Sequence, residues 1–262
     1  MRVTKMHGLA NDFIVVDADA QVDAATAAAL CDRRTGIGGD GLLRVIPTEA
    51  GVRMEYWNAD GSTAEMCGNG LRCVARYAVD RGIVSTSEFT VETLAGPLRV
   101  EVGEQVVTTE IGRPELGETI EIDGGSYLSV SVGNPHAVRH VADVSAIDVG
   151  AIGLSVNRHP AFPFGVNVEF VQEIGERAVR MRVWERGVGE TMACGTGMVA
   201  VAAQVLAGSG NGHHSAELPA GEVEVAVPGG VGQVRIDGDG TAWLSGPAVT
   251  VFEATLEDRP SG

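Results

Sequence analysis

The sequence is poor in lysine: Lys5 is the only one in 262 residues, and the other strongly basic side chains are all arginine. An enzyme that uses pyridoxal phosphate needs an active-site lysine to form the Schiff base. Lys5 lies in a short N-terminal segment with no phosphate-binding loop beside it. We therefore expect no pyridoxal phosphate, and more generally a protein that works without a cofactor.

Cysteine, positive charge and long apolar runs are also scarce. Four cysteines are too few for a disulfide scaffold, and no C-x-x-C pair or histidine-spaced cluster indicates a metal site. A formal net charge of −16 disfavours nucleic acid, whose phosphates attract clustered lysine and arginine. No apolar run approaches the roughly 20 residues of a membrane span, and the first residues lack the layout of a signal peptide. We expect a cytoplasmic protein with reduced thiols, no metal, and neither membrane nor nucleic-acid partners.

What the sequence does contain is an internal repeat. Cys67 and Cys194 are 127 positions apart, and at that offset residues 52–75 and 179–202 share nine identities in 24 columns without a gap. The shared letters include VRM, a tryptophan, and a C-G-x-G loop in each copy. Chance is a poor explanation for this match. The repeat predicts two homologous halves, each of which contributes one cysteine.

Both halves contain the same predicted elements. VRMEYW and VRMRVW are rich in β-forming residues and predict strands, while LRCVARYAVDRG and MVAVAAQVLAGSG predict helices that end at a glycine. Hairpin turns are predicted at 95–97 and 228–230, and a further helix from the N-cap Asp23 to a stop at Gly36. We expect one buried helix per half, wrapped by sheet.

The predicted fold class is therefore α+β, with two pseudo-symmetric lobes. Each lobe is a mostly antiparallel sheet around a central helix. We expect one lobe to comprise residues 1–115 plus about 248–262 and to carry Cys67. The other lobe would comprise residues 116–247 and carry Cys194.

Cys67 and Cys194 are each predicted to stand at the start of a helix, among glycines. The unpaired N–H groups and the positive end of the helix dipole favour thiolate over thiol there, bringing the pKa from ~8.5 towards neutrality. The same N–H groups can bind a carboxylate, because glycine lets the backbone approach closely. One thiol on each side of a carbon acid suits inversion of a stereocentre: one sulfur removes the α-proton and the other delivers a proton to the opposite face. We expect the two thiols to titrate as a coupled pair.

Other candidate residues have ordinary structural explanations. Cys31 and Cys73 lie inside apolar helix patterns, so we expect them to be buried and inert. GIGGDG at 36–41 has the spacing of a dinucleotide-binding loop, but a helix precedes it and a strand follows, which is the reverse of the required context. His136, in GNPHAV, is either a satisfied polar residue or one that shifts the pKa of a nearby thiol.

The chain resembles the diaminopimelate epimerase family over essentially its whole length. The stretches that carry the resemblance, in order, are KMHGLANDFIVVD, NADGSTAEMCGNGLRC, GNPHAV, GVNVEFVQ and RVWERGVGETMACGTG. The resemblance implies an active site in the cleft between the lobes and the interconversion of LL- and meso-2,6-diaminopimelate, a precursor of lysine and peptidoglycan. Its partner would be this small-molecule substrate; the oligomeric state stays open, with a homodimer as one option.

The resemblance also implies roles for individual residues. Cys67 and Cys194 would transfer the protons, and His136 and Glu185 would tune the pKa values of the thiols. The substrate-binding residues would be Asn11, Asn58, Gly68, Asn69, Asn134, Asn167, Glu185, Arg186, Gly195 and Thr196.

Within that set, the residues after each cysteine would hold the reacting carboxylate, and Arg186 suits the distal one. The chain departs from the family at Gly41, where many members have glutamine, so one side-chain contact must be absent or replaced.

Two other hypotheses keep the paired cysteines. In the first, the same chemistry acts on another amino acid or on a hydroxyproline-like compound. In the second, the protein is a redox-responsive binding protein in which Cys67 and Cys194 switch between thiols and a disulfide.

Overall fold

The structure is a computed structural model that describes residues 1–64, 66–208 and 218–257. The first half of the chain forms the elements β1 (Arg2–Gly8), β2 (Asn11–Asp17), α1 (Ala24–Cys31), β3 (Gly41–Thr48), β4 (Gly51–Asn58), α2 (Gly68–Asp80), β5 (Glu88–Thr93), β6 (Gly96–Val102) and β7 (Val107–Gly112). The second half forms β8 (Glu115–Ile122), β9 (Gly125–Ser131), β10 (Pro135–His140), a 3-10 turn (Val144–Ala146), α3 (Val149–Asn157), β11 (Asn167–Gly175), β12 (Ala178–Glu185), β13 (Gly189–Thr191), α4 (Gly195–Ala207), β14 (Gly221–Val227), β15 (Gly230–Ile236), β16 (Ala242–Gly246) and β17 (Val249–Thr255).

The chain divides into two compact units. The first comprises Met1–Thr109 and Gly246–Gly262, and the second comprises Glu110–Ser245. In the first unit β17 pairs with β1, and antiparallel and parallel pairs then alternate: β1 with β2, β2 parallel to β3, β3 with β4, β4 parallel to β5, and β5 with β6.

The second unit repeats this order of pairing. Its antiparallel pair β9–β10 is followed by β10 parallel to β11, by the antiparallel pair β11–β12, by β12 parallel to β14, and by β14 with β15. β8 precedes the series and β16 ends it, each through an antiparallel pair. The same succession of pairs in both units is the structural form of the sequence repeat, and the predicted α+β class is confirmed.

Each unit buries one long helix against its own sheet. In the first unit α2 lies against β1, β2, β3 and β6, and its apolar face joins a core that includes Met6, Phe13, Leu43 and Val91. In the second unit α4 lies against β10, β11, β14 and β15, and its residues 197–204 are all buried. Small Ala and Val side chains allow the sheet to approach α4 on all sides, as its composition predicts. No helix in the described part of the chain is long and apolar enough to cross a membrane.

The local differences from prediction are small. The two hairpins turn at 94–95 and 228–229, so the first is one residue earlier than expected. The first helix begins at its predicted N-cap, where the Asp23 side chain accepts from Thr26 N, but it ends at Cys31 rather than at Gly36. Asp32 ends it by accepting hydrogen bonds from the backbone of Arg34 and Thr35, which forms a separate turn.

Candidate active site

Both cysteines of the repeat stand at the N-cap of a buried helix. Cys67 precedes α2 and Cys194 precedes α4, each with extended backbone angles. The backbone N–H groups of the first turn of such a helix have no partner within the helix, so they can bind an anion. These groups belong to the C-G-x-G loops, as the sequence predicted.

Asn11 comes to Cys67 from a tight turn. The turn between β1 and β2 places Leu9 and Ala10 at φ 54° and 62°, a left-handed conformation in both non-glycine residues. It brings the Asn11 side chain to the start of α2, where its Oδ1 accepts from Cys67 Sγ at 3.5 Å and from Asn69 Nδ2 at 3.2 Å. Three predicted site residues of the first unit therefore form one hydrogen-bonded group.

A charged cluster fixes the orientation of the Asn11 amide. Asn11 Nδ2 donates to Asp40 Oδ2 at 2.7 Å, which leaves only Oδ1 to face Cys67. Asp40 in turn accepts a hydrogen bond from Arg33. Asp12 pairs both with Arg33 and with Lys5, each at 2.6 Å. Although burial opposes it, the pairing with Arg33 and Lys5 holds the pKa of Asp12 well below its usual range. The single lysine of the chain is thus part of the support behind Asn11.

Asn58 and Gly41 face each other on paired strands of the same unit. The Asn58 amide donates to Ser62 Oγ at 3.0 Å, and no hydrogen bond in the described part of the chain joins it to Cys67. A Cβ at Gly41 would lie 2.5 Å from Tyr56 Cε2 and 2.6 Å from the Trp57 carbonyl oxygen. The ring of Tyr56 therefore fills the space that a longer side chain at position 41 would need.

In the second unit a polar network leads to Cys194. Cys194 Sγ lies 3.5 Å from Thr196 Oγ1, which accepts from Asn134 Nδ2 at 3.2 Å. Asn134 Oδ1 is 3.0 Å from His136 Nε2, and His136 Nδ1 is 2.7 Å from Glu169 Oε1. The structure therefore joins the predicted residues His136, Asn134 and Thr196 to the second thiol.

Glu169 is a residue of this network that sequence reasoning missed. Its side chain and that of His136 are both fully buried. Because Asn134 Nδ2 donates to Thr196, the amide oxygen Oδ1 is the atom of Asn134 that faces His136 Nε2. A Cβ at Gly197 would lie 2.7 Å from Glu169 Oε1, so this glycine lets the carboxylate reach the first turn of α4.

The pKa of Cys194 departs from the expectation based on its helix terminus. Burial raises the pKa of this thiol well above its usual value, and the carboxylates of Glu185 and Glu169 raise it further. Contacts from Thr196 and from the N–H of Gly197 act in the opposite direction but are outweighed. The helix-terminus argument correctly identified an N–H contact that lowers the pKa of the thiol. It missed the larger effects of burial and of the two carboxylates, which raise the pKa. In this structure Cys194 is a thiol at neutral pH.

The last predicted residues lie around the hairpin of β12 and β13. Burial raises the pKa of Glu185, although hydrogen bonds from Thr191 and Cys194 oppose the shift. Asn167 accepts from the Arg186 backbone N–H at 2.9 Å. The Arg186 side chain is exposed and donates to the Phe164 carbonyl at 3.1 Å. Glu185 thus contacts the second thiol directly, whereas Asn167 and Arg186 form a separate group.

Solved structures share this fold. A phenazine biosynthesis protein of the PhzF family from Bacillus anthracis superposes with a TM-score of 0.73 at 16% identity, over 98% of this chain and 99% of that one. A hydroxyproline epimerase from Agrobacterium vitis, with bound trans-4-hydroxy-L-proline, gives a TM-score of 0.67 at 16% identity, over 97% and 91%. These likenesses define the class of fold.

Sequence comparison then identifies the family. The profile described as "Diaminopimelate epimerase" matches residues 3–117 and 128–251. Proteins named diaminopimelate epimerase are 42% identical in Moorella thermoacetica, over 96% of this chain and 98% of the relative, and 40% identical in Acinetobacter baumannii, over 99% and 98%. The chain belongs to the diaminopimelate epimerase family and is an isomerase of the epimerase class.

Proposed function

We propose that the protein is a cofactor-independent, two-thiol epimerase that interconverts LL- and meso-2,6-diaminopimelate in the biosynthesis of lysine and peptidoglycan precursors. The observation that carries this proposal is the repeated site: two cysteines, each at the N-cap of a buried helix, in a chain about 40% identical to named diaminopimelate epimerases. Cys67 and Cys194 are the acid and the base on opposite faces of one α-carbon.

In one direction the Cys67 thiolate removes the α-proton, which breaks the C–H bond and forms an S–H bond. The electron pair left on carbon is delocalised into the substrate carboxylate. The Cys194 thiol then donates its proton to the opposite face, so the stereocentre inverts and the roles of the two sulfurs are exchanged. The raised pKa of Cys194 supports its role as the proton donor in this direction.

The substrate carboxylate must be stabilised when it carries the delocalised charge. Backbone N–H groups of Gly68, Asn69, Gly195 and Thr196 are suited to this, because they are fixed in position and face the charge that develops. Gly70 and Gly197, two residues after Gly68 and Gly195, keep the first turn of each helix narrow. Pyridoxal phosphate, which would otherwise take up this charge, has no role in the proposal.

Only one of the two stereocentres of diaminopimelate is inverted, so the distal amino-carboxylate must be recognised as well. We propose that Arg186 binds the distal carboxylate and Glu185 its ammonium group, with Asn11, Asn58, Asn134 and Asn167 as the amide partners. The exposed guanidinium of Arg186 supports this assignment. His136 and Glu185 would tune the second thiol.

The proposal is tested by converting LL-diaminopimelate in D2O with the reduced protein. We expect meso product with deuterium at one α-carbon, because the donated hydrogen comes from a thiol that exchanges with solvent. Cys67→Ser and Cys194→Ser should lose conversion by at least roughly 10³-fold, whereas Cys31→Ala, whose thiol is buried outside both networks, should retain it.

A second substrate completes this test. 2-Aminoheptanoate, which lacks the distal amino-carboxylate, should react at least roughly 100-fold more slowly. Product without deuterium, or equal rates on both substrates, would contradict the assignment. Rapid turnover of 2-aminoheptanoate would favour the hypothesis of a different amino-acid substrate.

Two further proposals concern the cellular location of the protein and its oligomeric state. The mechanism requires thiols that stay reduced, so we propose a cytoplasmic location. We also propose a homodimer that forms through β17. This strand exposes three apolar side chains, Val249, Val251 and Phe252, and an exposed apolar strand is a surface that a second copy can cover.

A further inference from the structure

Among the described residues, Arg72 has the largest fully buried side chain, with 0% of its surface exposed. It lies on α2, five residues after Cys67. Its guanidinium donates to Asn69 Oδ1 at 2.6 Å, to the Pro247 carbonyl at 3.4 Å and to the Gly68 carbonyl at 3.5 Å. All three acceptors are neutral, and no ion pair in the described part of the chain includes Arg72.

A buried charge with neutral partners is unusual. Arginine does not lose its proton in proteins, so Arg72 brings a permanent positive charge into the core, where ions are normally paired. Burial lowers the pKa of this guanidinium, and negative charge on Cys73 or Cys67 would raise it. Burial raises the pKa of Cys73 to about 12, so Cys73 stays protonated. Among the described groups, the thiolate of Cys67 is the anion that can balance the charge of Arg72.

We propose that Arg72 is a positioning residue that supplies a fixed positive charge to the first half-site, by which we mean Cys67 with Asn11 and Asn69. It stabilises negative charge on Cys67 Sγ and, through Asn69, on the carboxylate held at the start of α2. The second part rests on the proposed function, whereas the effect on Cys67 belongs to the free protein.

The geometry links Arg72 to the thiol in two steps. The contact with Asn69 Oδ1 turns the Asn69 amide so that its Nδ2 donates to Asn11 Oδ1, which also accepts from Cys67 Sγ. The Asn11 oxygen can only accept a hydrogen bond, so it stabilises the protonated form of Cys67. The positive charge of Arg72 stabilises the deprotonated form. Cys67 thus has a partner for each of the two states that it must adopt during a catalytic cycle.

Among the described residues near this end of α2, several other charged and titratable groups are accounted for. Asp40, behind Asn11, accepts from Arg33, and Tyr77 donates to Asp17 at 2.6 Å on a later turn of the helix. His7 lies on β1 and Cys73 on α2. Pro247 contributes a carbonyl oxygen only.

The second half-site has no counterpart of Arg72. At the repeat offset of 127 its position is taken by Val199, while Cys194 has the carboxylates of Glu185 and Glu169 beside it. The charge of Arg72 therefore favours the thiolate of Cys67, whereas two carboxylates favour the thiol of Cys194. On this proposal Cys67 is the thiolate and Cys194 the thiol in the free protein.

The test is the pH dependence of Cys67 alkylation by iodoacetamide in the free full-length protein, followed by mass spectrometry of the Cys67 peptide. Arg72→Gln should move the alkylation midpoint to higher pH by about one unit, because the thiolate loses a neighbouring cation. Arg72→Lys keeps the charge and should stay within a few tenths of a unit of the wild type. The value of kcat/KM near neutral pH should fall about 10-fold in Arg72→Gln and recover in Arg72→Lys.

Arg76→Gln is the matched control. It removes a charge from the same helix, but Arg76 pairs with Asp80 and donates to the Gly103 carbonyl, so the Cys67 midpoint should not move. Arg72→Met is a second charge-free variant for the case that Arg72→Gln does not fold, as judged by circular dichroism. If only Arg72→Lys folds, a midpoint near the wild-type value supports the proposal and a rise of one unit overturns it.

An unchanged midpoint in a folded charge-free variant would also overturn the proposal. So would a shift in Arg72→Lys as large as that in Arg72→Gln. Alkylation needs no substrate, so this result is independent of the D2O assay. Failure of the substrate assay with a clear midpoint shift would leave the role of Arg72 intact and reject the proposed reaction alone.

Discussion

At the scale of the residue, Cys194 shows which electrostatic effect dominates at a helix terminus. The thiol is 6% exposed, so its charged form loses most of its hydration. Two carboxylates, Glu185 and Glu169, add repulsion, and the N–H groups of α4 offset only part of the total. The raised pKa therefore reflects burial first and neighbouring charge second. Of the two causes, the charge can be removed without changing the shape of the site.

We predict that Glu185→Gln moves the alkylation midpoint of Cys194 to lower pH by up to about one unit, since an adjacent negative charge disappears. Burial raises the pKa of Glu185, so the difference in modification rate between the variant and the wild type should shrink in mildly acidic solution, where the native carboxyl group takes up its proton. The reagent is methyl methanethiosulfonate, which is small enough to reach a buried thiol.

The activity of Glu185→Gln should fall, although the thiol of Cys194 becomes more reactive. The reason is that Glu185 is proposed to bind the substrate ammonium. Glu190→Gln is the control: its carboxylate pairs with Arg182 at 2.7 Å, and it should leave the Cys194 midpoint in place. Equal midpoints in the wild type and Glu185→Gln would show that burial alone sets the pKa of this thiol.

Sequence patterns located both thiols but neither of the buried charges beside them. Arg72, Arg76 and Asp80 are spaced four residues apart on α2, which is typical of a solvated helix stripe, but only Asp80 is exposed. Arg72 is buried because Gly8 and Pro247, distant in sequence, close over the start of the helix. Glu169 likewise depends on a strand pairing that no local pattern reveals. Contacts of this kind come from tertiary structure.

At the scale of the element, the turn between β1 and β2 holds strain that a glycine would relieve. Leu9 and Ala10 both have positive φ, which costs a non-glycine residue roughly 1–2 kcal/mol. Ala10→Gly removes that cost but adds about 0.5–1 kcal/mol of unfolded-state entropy. We predict a net gain of up to about 1 kcal/mol in the free energy of unfolding, measured by urea denaturation.

Ala95→Gly in the turn between β5 and β6 is the matched control. Ala95 lies in the same unit and has no positive φ, so this change should destabilise the protein by about 0.5–1 kcal/mol. Equal effects of the two substitutions would mean that the turn before Asn11 is not strained. The activity of Ala10→Gly should be retained, since the turn still brings Asn11 to Cys67.

The elements themselves were largely predictable, because local patterns determine them. Strands β4 and β12 and helices α2 and α4 lie where their periodicity and composition placed them. The end of α1 was wrong because an Asp32 side chain competes for backbone N–H groups, an effect that outweighs the distant glycine. Turn positions were accurate to one residue, which is the precision that turn residues alone provide.

At the scale of the whole molecule, duplication explains why 24 matching columns were enough to predict the class of fold. Each unit repeats one order of strand pairing around a buried helix, so the repeat that is visible near the cysteines extends to the whole unit. The halves have since diverged where the chemistry differs, with a cation near one sulfur and anions near the other. The repeat accounts for the two thiols, and the proposed role of Arg72 accounts for a difference in their starting protonation states.

The final prediction concerns assembly. A chain with a formal net charge of −16 repels its own copies, so a dimer needs an apolar contact, and Val251 on β17 is 56% exposed. We expect the wild type to elute with about twice the 27.2 kDa mass of the chain in size exclusion with light scattering, and Val251→Asp to elute as a monomer. Val231→Asp is the control, because Val231 is 50% exposed on β15 of the other unit and should leave the dimer intact. A monomeric wild type would reject the dimer, and a dimeric Val251→Asp would place the interface elsewhere, since a buried aspartate without a partner disfavours association.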